Sequence, residues 1–389
     1  MRPDIAVTWS PAGERWAWAE VDLDAVVHNV AVLRAAVSPA AVWAVVKADG
    51  YGHGAVEVAR AALDAGAGGL CVALVQEAAR LRAAGIDAPI LVLSEQPPDQ
   101  LADAVRLGVV STVCSTAQLD ALEAAGAATH RVHLKVDTGM HRVGCPPEQA
   151  VALAQSIERR PALVLDGVFT HLAVADEPAD PFTARQLARF DTVLSELAAA
   201  GIDPGRRHAA NSAGALAHPR ARLDLVRVGI AAYGVEPGRG VEHLCRELRP
   251  AMSLRARVSH VKPVAAGERI SYGLRHAFAH DTVVATVPIG YADGVPRRLF
   301  ETHGEVLVGS RRCPIVGVVT MDQLMVDVGH GADVRVGDRV TLLGADGDER
   351  IRPEDWAERL GTIGYEVVCG ISARVARHHS RRGVVDSRS

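Results

Sequence analysis

Residues 41–54 read AVWAVVKADGYGHG: an unbroken apolar run, then Lys47, Ala48 and Asp49, with glycines at 50, 52 and 54. An apolar run without alternation suits a strand buried on both faces, as in a parallel sheet covered by helices. Seven further short strand-like runs follow, at 69–74, 89–94, 109–114, 131–137, 165–171, 208–211 and 224–230. Between most of them lie Ala/Leu/Arg stretches with helical spacing that often close on glycine, at 55–65, 76–84, 116–125, 148–159 and 184–200. Another helical stretch, 23–37, precedes the first strand. Alternation of strand and helix calls for a parallel sheet, and eight strands make a (β/α)8 TIM-type barrel the expected fold, of class α/β.

The pattern changes near residue 251. The runs 252–261, 268–272, 282–288, 305–308, 316–328 and 339–343 follow one another with few helices and with turn residues between them. This predicts a second, mostly antiparallel β domain. Pro250 marks the expected boundary, giving a barrel over 15–249 and a β domain over 250–378. Residues 1–14 are expected to pack with the β domain, and the Arg- and Ser-rich end, 379–389, is expected to fray.

Composition excludes several classes. The 389 residues are 49% hydrophobic and carry a net charge of -4, which suits a globular core and argues against a nucleic-acid partner. No apolar run approaches the roughly 20 residues of a membrane span, and the N-terminus lacks a secretory pattern, so a cytoplasmic protein is expected. The six cysteines (71, 114, 145, 245, 313 and 369) contain no CxxC pair; reduced thiols are expected, and no metal site. Of 42 basic side chains only Lys47, Lys135 and Lys262 are lysines, so chemistry that needs an amine has three candidates.

On a barrel, Lys47 falls at the C-terminal mouth of a strand, where active sites sit, and a partly desolvated amine there could form a Schiff base. The run KVDTGMHRVG at 135–144 repeats the design with Lys135 and Arg142. His171 ends the run GVFTH, although a single histidine is more often structural. Asn211 and Ser212 in ANSAG, and Arg227, Gly229 and Ile230 in VRVGI, close the last two strands, where barrels often hold a phosphate. The β domain places Tyr272 and Tyr291 among glycines, in SYG and IGYADG.

Taken in order, VVKADGYGHG, KVDTGMHRVG, GVFTHLAVADEP, ANSAG, VRVGIAAYG, SYG, IGYADG, MDQLMVDV and TIGYEVVCGISARV resemble alanine racemase, a fold-type III pyridoxal 5'-phosphate (PLP) family, across nearly the whole chain. The resemblance implies interconversion of L- and D-alanine by two bases, with D-alanine going to peptidoglycan. It makes Lys47 the residue that holds the cofactor. It places Tyr51, Ser212, Gly229, Ile230 and Tyr365 at the phosphate, with Asn211 beside them, His171 beside the pyridine ring and Arg227 on the pyridine nitrogen. Arg142 would meet the substrate carboxylate, braced by Lys135, a position often carbamylated in the family. Tyr272 would be the second base, and a homodimer would bring Tyr272, Tyr291 and Met321 across its interface, with Asp322 in support. The sequence departs from the family pattern at Val318 and Thr320, where the family often has arginine and cysteine, and around Ala376–His379, where it usually has proline and tyrosine.

Two bases on opposite faces of Cα are what racemisation requires. An arginine on the pyridine nitrogen keeps its proton, so the ring stays a restrained electron sink. A broad-specificity or serine racemase on the same scaffold, or a non-enzymatic PLP-binding protein, remain alternatives at this stage. A decarboxylase is disfavoured by Arg227, where such enzymes place an acid.

Overall fold

The computed structural model describes residues 15–381; the expectations for residues 1–14 and for the tail beyond 381 lie outside the described residues. Eight parallel strands form one sheet in the order Arg206–His208, Leu163–Phe169, His130–Lys135, Val110–Val113, Ile90–Val92, Gly69–Val72, Ala41–Val45 and Leu225–Val228. The two end strands meet, because Asp224 N donates to Arg207 O at 3.1 Å and Arg227 N to Ala210 O at 3.0 Å. The sheet thus closes into the barrel that the eight apolar runs predict. Its strands are buried on both faces: Leu70, Cys71 and Val72 are sealed from solvent, as are Ile90 and Leu91.

The helix Leu23–Val37 starts where the Asp22 carboxylate accepts the N–H groups of Asp24 and Ala25, at 2.9 and 3.1 Å. Such a cap contributes about 1 kcal/mol. Val26, Val30, Leu33 and Val37 recur at helical spacing and face the core. The run expected as a strand at 208–211 stops at His208, because Asn211 turns its side chain onto Gly214 N at 2.9 Å and caps the short helix Ser212–Ala217.

Residues 21–252, 361–369 and 379–381 make up the unit that contains the barrel; residues 15–20, 253–360 and 370–378 make up a second compact unit. A second sheet runs Arg311–Pro314, Glu305–Val308, Arg339–Asp346, Met252–Arg257, Ala17–Asp22 and Ala376–Ser380, with Glu349–Ile351 pairing the end of Arg339–Asp346. A three-stranded antiparallel sheet orders His260–Val264, Thr282–Val287 and Leu324–Asp327.

Several boundaries differ from the sequence expectation. The strand expected at 268–272 is only Arg269–Ile270, because Ser271 takes φ +64° and Tyr272 opens a 3₁₀ turn. The run 316–328 yields only the strand Leu324–Asp327; ahead of it Thr320 Oγ1 donates to Gln323 O at 2.8 Å and folds the chain into a turn. The helix Pro353–Leu360, which buries Trp356 and Ala357, went unpredicted, as did the strand Ala17–Asp22. Fraying from residue 379 is corrected in part: the strand Ala376–Ser380 runs past it, and Arg381 pairs with Asp64 at 2.6 Å. Backbone pairing overrides the polar composition there. Among the described residues, no helix is long and apolar enough to cross a membrane.

Candidate active site

Lys47 leaves the end of the strand Ala41–Val45 and opens a left-handed turn. Ala48 (φ 52°, ψ 49°), Asp49 (52°, 47°) and Gly50 (63°, 44°) are followed by Tyr51 at φ 52°. Each non-glycine residue in that region costs roughly 1–2 kcal/mol, so the turn must be held. Gly50 N donates to Val46 O and Gly52 N to Ala48 O, both at 2.9 Å, and the Asp49 carboxylate accepts Ala55 N at 3.0 Å. The turn swings Tyr51 inward, with its ring 5.1 Å from that of Tyr233 and 6.1 Å from that of Tyr365. Tyr233 in turn donates its hydroxyl to Val45 O at 2.9 Å.

Tyr51 meets the end of the last barrel strand. A Cβ on Gly229 would lie 2.5 Å from the Tyr51 hydroxyl, so only glycine fits without displacing the ring. Ser212 Oγ accepts Gly229 N at 2.9 Å and Ala231 N at 3.4 Å, and Ile230 between them is fully buried. The hydroxyls of Tyr51 and Ser212 thus meet at this bend, and because Ser212 Oγ accepts from the backbone its own hydrogen is left to donate, which makes a corner suited to an anion. Asn211 lies beside this corner, but its carboxamide is committed to the helix cap and to Leu172 O at 3.4 Å.

Positive charge gathers beside it. Burial, and after it Arg142, hold the Lys47 amine below its ordinary range. Lys135 donates to Leu93 O at 3.1 Å and lies 5.4 Å from the Phe169 ring centre. Burial, then Arg227 and Arg142, bring its amine down to about 8. His171 is pushed well below the usual imidazole range by burial and then by Arg227, Arg142, Lys135 and Lys47, so it is neutral at pH 7. Arg142 itself is exposed.

Arg227 is buried, with four partners among its neighbours. It donates to Thr170 O at 2.9 Å, to Ala209 O at 3.1 Å, to His171 Nδ1 at 3.3 Å and to His208 Nδ1 at 2.6 Å. Behind His208, His133 Nδ1 lies 2.9 Å from His208 Nε2, and His133 Nε2 lies 3.4 Å from Asp166. Arg206 pairs with the same carboxylate.

The remaining expected residues assemble on the second unit. Tyr272, Tyr291, Arg297, Met321 and Asp322 line a cavity of about 470 Å³. Tyr291 N donates to Thr320 O and Ala292 N to Met321 O, both at 3.0 Å, and Asp322 pairs with Arg374 at 2.7 Å. Tyr272 is 74% exposed and Met321 52%, unusual for side chains of that size.

The barrel residues expected at the site therefore cluster around the strand ends, and Tyr272, Tyr291, Met321 and Asp322 line one cavity. Tyr365, expected within the β domain at 250–378, instead belongs with residues 361–369 to the barrel unit and packs on Tyr51. Sequence reasoning missed Tyr233, His133, His208 and Glu77. A signal existed for His133, which precedes Lys135 by two residues and so shares its face of the strand. Nothing local marked Glu77.

Comparison with known proteins agrees with this geometry. Residues 21–237 match the family model "Alanine racemase, N-terminal domain" and residues 251–379 match "Alanine racemase, C-terminal domain". The chain is 48% identical to alanine racemase of Symbiobacterium thermophilum over 94% of its own length and 98% of that protein, and 45% identical to that of Desulforamulus reducens over 92% and 98%. Among solved structures, alanine racemase from D-cycloserine-producing Streptomyces lavendulae superposes with a TM-score of 0.89 at 40% identity, covering 95% of this chain and 98% of that one. The Bacillus anthracis enzyme with bound L-Ala-P also gives 0.89, at 41% identity over 95% and 96%. Two domain models matched in chain order, with relatives this similar from end to end, place the chain in the alanine racemase family.

Proposed function

We propose that this enzyme interconverts L- and D-alanine, with pyridoxal 5'-phosphate held by Lys47, and that it works as a homodimer in the cytoplasm to supply D-alanine for peptidoglycan. In this reading residues 15–249 hold the cofactor together with Tyr365, which belongs to the same unit, and the rest of 250–378 presents Tyr272, Tyr291 and Met321 to a second copy. The exposure of Tyr272 and Met321 supports a surface that a second copy covers. Six free cysteines suit a reducing compartment.

The observation that carries the reading is the charge around His171. Arg227 lies 3.3 Å from its Nδ1, Lys135 and Arg142 line the same small pocket, and these positive groups together with Lys47 favour the neutral ring. Such a cluster fits a ligand bearing a phosphate and a carboxylate. The corner formed by Tyr51, Ser212, Gly229 and Ile230 fits the phosphate, and Tyr365 closes on Tyr51. A neutral His171 fits the face of a ring, and Arg227 fits a pyridine nitrogen that must stay unprotonated, because every contact it makes leaves it a donor. Lys135, with an amine near 8, has an appreciable neutral fraction at pH 7, which carbamylation requires.

Bound pyridoxal phosphate supplies the electron sink that makes the α-proton of an amino acid removable. Lys47 takes and returns that proton on the face of D-alanine. Tyr272 from the second copy does so on the face of L-alanine. Lowering the Lys47 amine by burial raises its neutral fraction at working pH, as a base requires. Arg142, with Met321 of the second copy, orients the substrate carboxylate, and Tyr291 narrows the entrance.

An amino-acid panel followed by loss of optical rotation, with and without added pyridoxal phosphate, tests the proposal. Racemisation of alanine that depends on the cofactor is expected. Cofactor binding without racemisation of any amino acid would leave a binding protein instead.

A further inference from the structure

Glu77 lies in the first turn of the helix Val75–Ala83, in the β/α unit next to the one that carries Lys47. Its Oε2 accepts Ala73 N at 2.8 Å and Leu74 N at 3.1 Å, the ordinary work of an acid at the start of a helix. Its Oε1 reaches further and accepts Ala48 N at 2.6 Å. Ala48 directly follows Lys47 and is the first residue of the left-handed turn.

An alanine has no preference for φ 52°, and neither does the tyrosine three residues on. The conformation has to be imposed by partners. Carboxylate-to-amide bonds are among the stronger hydrogen bonds available, and Glu77 supplies one at the point where the chain enters the turn. We propose that Glu77 is a positioning residue for Lys47: by holding the Ala48 N–H it fixes the left-handed turn, and with it the direction in which the amine leaves the strand end. This rests on the reading that Lys47 holds the cofactor. The Glu77 charge also favours the protonated amine, opposing burial and Arg142.

Helix capping and turn fixing can be separated. Glu77→Ala removes both. Leu74 is the exposed residue ahead of the helix, at φ -125° and ψ 148°, where an aspartate caps well. Leu74→Asp/Glu77→Ala therefore restores the cap but not the bond to Ala48. Three measurements on the full chain freed of cofactor apply: thermal midpoint, amide hydrogen exchange at Ala48–Tyr51, and the rate of pyridoxal phosphate capture across pH. The double variant is expected to recover the part of the thermal midpoint that the lost helix cap accounts for. It should still exchange the Ala48 amide, and capture pyridoxal phosphate, on the order of tenfold faster and slower respectively, the size of one lost charged hydrogen bond. The midpoint of capture against pH should also move to lower pH. A double variant with wild-type protection and wild-type capture would reduce Glu77 to a helix cap and overturn the proposal, as would unchanged Ala48 protection in Glu77→Ala. If the wild-type chain captures no pyridoxal phosphate at Lys47, the proposed function fails, while hydrogen exchange still decides whether Glu77 holds the turn.

Discussion

Arg227 and His208 lie 2.6 Å apart in the barrel core, and the contact fixes a tautomer. Arginine only donates, so His208 Nδ1 accepts and its hydrogen sits on Nε2. Nε2 therefore donates to His133 Nδ1 at 2.9 Å, and His133 Nε2 points its own hydrogen at Asp166. The chain runs from the guanidinium proposed for the pyridine nitrogen to a carboxylate beside Arg206 and Arg131. Each bond has one direction only.

Asp166→Ala removes the terminal acceptor. The buried His133 Nε2 then loses its partner, which should cost about 1–3 kcal/mol in urea unfolding. Nitrogen-15 spectra of the histidine rings should show hydrogen on Nε2 of both His133 and His208 in the wild type and in the variant alike, because Arg227 still sets the direction. A wild-type spectrum with hydrogen on His208 Nδ1 would contradict the assigned direction.

Borohydride reduction of the enzyme with pyridoxal phosphate should fix the cofactor to the peptide containing Lys47. Peptide mapping by mass spectrometry checks this. Label on Lys135 or Lys262 instead would move the covalent site.

Neither single-residue variant should racemise alone, yet Lys47→Ala and Tyr272→Ala chains should complement. Random pairing makes half of the dimers mixed, each with one intact site, so about a quarter of wild-type activity should return. No recovery, with mixed dimers shown to form, would mean that both bases come from one chain.

Tyr272→Phe should keep single-face exchange. In deuterated water it should wash the α-proton from D-alanine while leaving L-alanine nearly untouched, as proton NMR would show. The residual rate should be small, since the tyrosine also helps place the substrate and such effects are not additive. Equal loss from both enantiomers would contradict the two-base assignment.

Stability should fall on mild acidification. Burial lowers the imidazoles of His130 (to about 4), His133, His171 and His208 below their ordinary 6.5. Between the folded and unfolded values the unfolded chain binds more protons, so this contribution is complete above about pH 6.5 and is lost as pH falls from there toward 4. The slope approaches about 1.4 kcal/mol per pH unit for each histidine. Urea midpoints from pH 7.5 to 4.5 measure it; a flat profile would mean that these rings are not neutral in the fold.

The sequence alone determined the barrel and the candidate residues that the structure gathers near its strand ends. Strands such as Ala41–Val45 are apolar throughout because both faces are buried, and that is a local signal that any reader of the chain meets. Lys47 and Arg227 stand at strand ends, Arg142 and Ser212 in the segments that follow such ends, and a change from apolar to polar with glycine marks them. The helix Leu23–Val37 announces itself by spacing and by Asp22. Elements whose stability comes from distant partners were not legible. Ala17–Asp22 is a strand because it lies between Met252–Arg257 and Ala376–Ser380, which are remote in the chain. His379 takes its place in that last strand by backbone pairing, against a polar composition. Only the tertiary structure gathered His208, His133 and Asp166 behind Arg227, since the three come from different strands and no spacing connects them. It alone brought Glu77 to Ala48, 29 residues away, because a side chain that steadies a strained turn is chosen by proximity in space and leaves no period in the sequence.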